Sequence, residues 1–150
     1  MEKNIELQKK EMKKKLNDWG TALVFCAKQQ EQMKKLMRLK DDAKQMEQEL
    51  EAYPSKIHHI LKGYEINMAY LQEEIMLRMA QKNEIDRLVA TLSTEEQTFL
   101  HLRYEKGYGY EYIAMQLHMG RSTCFRIHDK ILGVLVQKSM KKICKKCEKH

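Results

Sequence analysis

Proline occurs once in the 150 residues, at Pro54, glycine only six times, and aromatic residues make up 7% of the chain. Strands need β-branched and aromatic runs bounded by turn formers; that punctuation is largely missing, which excludes a β-rich fold and leaves an all-α one. Long apolar runs are missing too. The longest, residues 22–27, is far too short to span a bilayer, and no apolar stretch follows a basic start as a secretory signal requires. The protein is therefore expected in the cytoplasm with no membrane partner, its four cysteines reduced rather than paired in a disulfide framework. Catalytic signatures are equally scarce. With no Gly-rich phosphate loop, no HExxH pair and no Ser, His and Asp set on an implied pocket, neither enzymatic activity nor a cofactor is expected.

What fills the chain instead is charge, at 33% of residues, with a net value of +7. Residues 1–50 carry a net +3, residues 51–92 a net −1 and residues 93–150 a net +5. The excess is concentrated in the last third, as an electrostatic footprint for phosphates requires. Part of it lies in Lys141, Lys142, Lys145, Lys146 and Lys149, a basic tail of the kind that is more often a solvated end than a binding element.

Apolar residues at spacings of three and four predict a helix over nearly all of residues 1–51, with a narrow seam of Met12, Leu16, Trp19, Leu23, Cys26, Met33 and Met37. Gly20 costs a helix roughly 1 kcal/mol, so it marks either a break or a close helix contact. The residue before a proline is pushed out of helical geometry, which ends this rod at Tyr53-Pro54. A second long helix is predicted from about Ser55 to Ala90, with Ile57, Leu61, Tyr64, Met68, Leu71 and Ile75 on one side and Ile85, Leu88 and Leu92 continuing it. Residues 1–91 thus read as an antiparallel helical hairpin. Pairing within one chain and homodimerisation through the same surface are equally physical ways to bury the seams.

Residues 92–137 have a different character. Ser93-Thr94-Glu95-Glu96 is a capping-box signature. It opens a helix carrying Phe99, Leu100 and Tyr104 that should end near Gly107 and Gly109, followed by helices from Tyr110 to Leu117 and from Arg121 to about Val136, with a basic tail over 138–150. A compact domain of about 45 residues is small for an independent core, so it should lean on the preceding helix.

Between Ile113 and Ile127 the residues fall as two short helices crossing at a tight turn need them. Ile113, Leu117, Met119, Cys124 and Ile127 supply apolar contacts, and Ala114 sits where the helices pass closely. This is a helix-turn-helix pattern, whose second helix enters the DNA major groove. His118 stands where the turn's left-handed backbone usually takes glycine, and Gly120 where a hydroxyl cap is commoner. Winding the last helix at about 100° per residue, with Cys124, Ile127 and Ile131 inward, turns Ser122, Phe125, Arg126 and Asp129 outward. Arg126 suits a guanine edge, Ser122 either partner of a pair, and Phe125 a thymine methyl. Arg121, Thr123 and Lys130 flank that face, placed for phosphates, and Asp129 is expected to lie beyond the DNA.

From Leu92 to Leu135 the chain resembles region 4 of the sigma-70 class of factors, the domain that reads the −35 promoter element. The carriers are Leu102-Arg103-Tyr104, the Gly-rich link, Tyr112-Ile113-Ala114, Leu117 and Arg121-Ser122-Thr123. With its two long leading helices, the whole resembles small phage and prophage regulators of Gram-positive bacteria, the sigma-like or ArpU/RinA-type late transcription regulators. The resemblance implies a site-specific regulator of phage genes with double-stranded DNA and RNA polymerase as partners, and makes Arg103 and Glu111 internal scaffold charges. The upstream sigma regions that bind the polymerase core have no counterpart here, which argues against a complete sigma factor.

Other readings compete with it. A similar domain on a helical ring would suit a phage DNA-packaging subunit, and short helices of this spacing also occur in coiled-coil adaptors that touch only protein. Cys144, Cys147 and His150 have metal-ligand character, but a structural zinc site needs four ligands and no second pair exists, so no metal is expected.

Overall fold

The computed structural model describes the backbone of residues 2–50 and 54–148 and the side chains of 4–49 and 56–141. Among these residues the protein is all-α: α1 (Glu2–Leu50), α2 (Pro54–Val89), α3 (Thr94–Leu100), a π-helical turn (His101–Glu105), α4 (Tyr110–Gln116) and α5 (Arg121–Glu148). Pro54 takes the first position of α2, where a missing N–H is harmless. Helix α5 does not stop near Val136 as expected. Nothing after Gly133 breaks it, so the predicted tail is helical backbone to Glu148. The side chains of Cys144, Cys147 and His150 lie outside the described residues.

The chain divides into two compact units, residues 22–80 and residues 1–21 with 81–150. In the first, α1 and α2 run antiparallel: Cys26 approaches the carbonyl of Ile75, Gln29 donates to Glu74, and Lys40 pairs with Glu65 at 3.0 Å, α2 numbers falling as α1 numbers rise. Its seam is narrow, with Ala22, Cys26, Leu71 and Ile75 buried. Leu23 and Met37, expected in the seam, are 62% and 50% exposed. The small Ala22, fully buried, takes the inner position and turns Leu23 onto the flank.

The second unit holds the main core. Phe99, Leu100, Ile113, Cys124, Ile131 and Leu135 are fully buried, and so is Leu16 of α1, with Met12 and Trp19 beside it. Ile85, Leu88 and Val89 of α2 complete the cluster. Trp19 donates its indole N–H to Asp86 at 2.7 Å, and Lys82 holds the other carboxylate oxygen at 2.8 Å. Burial opposes ionisation of Asp86, but these two hydrogen bonds together with the charges of Lys82 and His101 outweigh it and hold its pKa below the ordinary value. The expected capping box is formed, with Ser93 accepting from the Glu96 N–H and Glu96 reaching back to the Ser93 N–H.

Beyond α3 the backbone widens into the π-helical turn, where the Lys106 N–H bonds to the His101 carbonyl at 3.0 Å. No residue pattern announces this turn. It brings the Tyr104 carbonyl against Gly20, where a Cβ would collide with that backbone oxygen. Of the two roles open to Gly20, the close contact is the one found: α1 passes through it unbroken.

Candidate nucleic-acid interface

Helices α4 and α5 are joined by a turn whose geometry follows from one hydrogen-bond pattern. The Met119 N–H bonds to the Ala114 carbonyl at 2.9 Å and the His118 N–H to the Met115 carbonyl at 3.3 Å, with His118 at a φ of 55°. This is a Schellman closure with the left-handed residue just past the helix end, and Met119 packs back on the core as such a closure favours. Ile113, Ala114 and Cys124 are buried, and Leu117, Met119 and Ile127 are partly buried against the same cluster. The inward set read from the sequence is therefore the inward set of the fold.

The opposite side of α5 faces solvent. Ser122, Phe125, Arg126 and Asp129 are exposed, as are Arg121 and Lys130, while Thr123 is half-buried. Phe125 is not a loose ring: its centroid lies 4.3 Å from that of the Tyr110 ring, and the Arg121 guanidinium sits 5.7 Å from the same centroid. Arg121 also pairs with Glu111 across the helix starts at 3.4 Å, an exposed contact of small energy. Arg126 donates to the Thr123 hydroxyl at 3.3 Å, which leaves most of its fork of donors open. Asp129, the carboxylate on this side of α5, pairs with Lys9 of α1 at 2.9 Å, so a cation from the protein itself stands beside it.

A family model described as a protein of unknown function, DUF722, matches residues 58–137, more than half of the chain. The chain belongs to that family. No curated protein and no solved structure matches it. The DUF722 match contains the whole of α3, the π-helical turn, α4 and the α5 face, and begins after the α1 residues Met12, Leu16 and Trp19 that fill the core.

In this DUF722 chain the fold also assembles a polar group that the sequence reading missed. His128 is buried, its Nε2 2.6 Å from the Tyr104 hydroxyl and its Nδ1 2.9 Å from that of Tyr110. A neutral imidazole donates through one nitrogen and accepts through the other, so both phenols are satisfied without charge. Burial, reinforced by Lys13 and Arg103 and opposed by Asp129, pushes the His128 pKa down to about 4. Burial likewise pushes Tyr104 up to about 12. The available signal was spacing: Cys124, His128, Ile131 and Leu135 form a continuous four-three-four stripe on α5.

Arg103 donates to the Tyr108 carbonyl at 3.0 Å and lies 4.4 Å over the Tyr110 ring, so it braces the glycine-containing link. Gly107 in that link has a φ of 72°, a left-handed conformation that favours glycine.

Proposed function

We propose that this chain is a sequence-specific DNA-binding transcription regulator of the phage or prophage type, with α5 lying in the major groove. The observation that carries the reading is the exposed face of Ser122, Phe125 and Arg126 on a helix whose other side, Cys124, Ile131 and Leu135, is locked into the core. A reading helix has to be rigid on one side and open on the other. Arg126 is the guanine contact, Phe125 the thymine-methyl contact and Ser122 the adaptable one, while Arg121, Thr123 and Lys130 hold phosphates. Lys9, 2.9 Å from Asp129, offsets part of the repulsion between that carboxylate and the duplex. In this proposal the α1 and α2 pair dimerises or presents a surface to RNA polymerase, in the cytoplasm.

Selection of preferred sites from random duplexes, followed by binding over a range of salt, tests the reading. Site-specific binding that weakens steeply with salt is expected. Arg126→Ala should cost about 1–3 kcal/mol and relax the preference at one base pair, whereas Lys130→Ala should weaken all sequences alike and flatten the salt slope by about one. If both variants keep the wild-type affinity and slope, the assignment of α5 fails. No retained duplex even at low salt would favour the adaptor that contacts only protein.

A further inference from the structure

A cleft of about 310 Å³ opens beside the α5 face, lined by Lys13 and Asn17 of α1, Arg103 and Tyr104 of the π-helical turn, Tyr110 of α4 and His128 of α5. Two cations line it and no carboxylate does. Lys13 has no ion pair or hydrogen bond among the described residues. Arg103 is fixed by the Tyr108 carbonyl and the Tyr110 ring, which use one of its donors and one face and leave the others available. The floor supplies no compensating charge, because both phenols are bound to a neutral His128. The neighbouring Asp129 is already occupied by Lys9, one helical turn from Lys13 along α1.

The cleft is contiguous with the reading face. Tyr110 forms its wall and stands 4.3 Å from the Phe125 ring. We propose that this cleft is an oxyanion site, and that the oxyanion it takes is a backbone phosphate of the duplex contacted by α5; the proposal rests on the DNA-binding reading above. Lys13 supplies a point charge and Arg103 a fixed pair of N–H donors, so the first helix of the chain becomes part of the DNA footprint. Such a contact sets the register of α5 without reading sequence.

The full chain with a selected duplex provides the test. Lys13→Gln should melt at the wild-type temperature, bind every duplex about eightfold more weakly at roughly 0.1 M salt, and lower the log–log salt slope by about 0.9, with base preference unchanged. Arg103→Lys keeps the charge and loses the fork, so it should weaken binding while leaving the slope as it was. The His128 ring resonance gives a second readout. An anion near Lys13 and Arg103 offsets their effect on the imidazole, so duplex should raise the pH at which His128 titrates, Tyr104, Tyr110 and Asp129 being the other groups that face it.

An unchanged slope in Lys13→Gln, with wild-type binding intact, overturns this proposal and leaves the α5 reading standing. A wild-type chain that retains no duplex overturns both. If inorganic phosphate moves the His128 resonance but Lys13→Gln binds duplex as wild type does, the occupant is a free phosphate and the assignment to DNA is overturned.

Discussion

A methyl group added at Gly20 would enter the space held by the Tyr104 carbonyl, and backbone cannot swing aside as a flexible side chain can. Gly20→Ala is therefore expected to destabilise by about 1–3 kcal/mol, even though alanine favours a helix by about 1 kcal/mol over glycine. Chemical denaturation measures it, and an alanine variant as stable as wild type would show that the π-helical turn yields freely. His128 carries a pH dependence of definite sign. Its folded pKa of about 4 lies below the ordinary 6.5, so the unfolded chain binds the proton more readily. Stability present above pH 6.5 is lost as the pH falls towards 4, by roughly 3 kcal/mol when the group is fully protonated in both states. Denaturation of wild type and His128→Asn at about pH 7 and about pH 4.5 isolates this term. The variant should lose less stability over that interval, and equal losses would place the acid sensitivity elsewhere.

At the level of elements, the turn between α4 and α5 carries strain that one substitution can release. His118 is exposed and held at a φ of 55° by the Schellman closure. A left-handed conformation costs an ordinary residue about 1–2 kcal/mol, and glycine adds about 0.5–1 kcal/mol of chain entropy to the unfolded state. His118→Gly should therefore stabilise by roughly 0.5–1 kcal/mol, seen as a higher denaturation midpoint with an unchanged slope. A lower midpoint would mean that the imidazole makes a contact beyond its backbone role. The α5 helix supplies the complementary case: its first turns are fixed by the core through Cys124 and Ile131, while its continuation to Glu148 has no breaker to end it.

For the molecule as a whole, the decisive fact is that the unit carrying the α5 face is built from both ends of the described chain. Leu16 is fully buried among residues of α3, α4 and α5, and Trp19 is tied to Asp86. Leu16→Ala should cost about 2–5 kcal/mol, and a chain lacking residues 1–21 should show no cooperative thermal transition. A sharp transition in that truncated chain, read by circular dichroism, would show that residues 81–150 close a core without α1.

Local periodicity and chemistry determined much of this. The two long helices, the Ser93 capping box, the left-handed His118 and the two sides of α5 all follow from spacings of three and four residues and from the preferences of single positions. Only the tertiary structure decided which surfaces meet. Nothing near Gly20 announces a carbonyl more than eighty residues away, and nothing near His128 names the two phenols that enclose it. The same holds for Lys9 at Asp129 and Lys13 at the cleft. A helical period tells which side of an element must be covered, because apolar surface has to leave water; it is silent on what covers it, because that depends on how distant segments pack together.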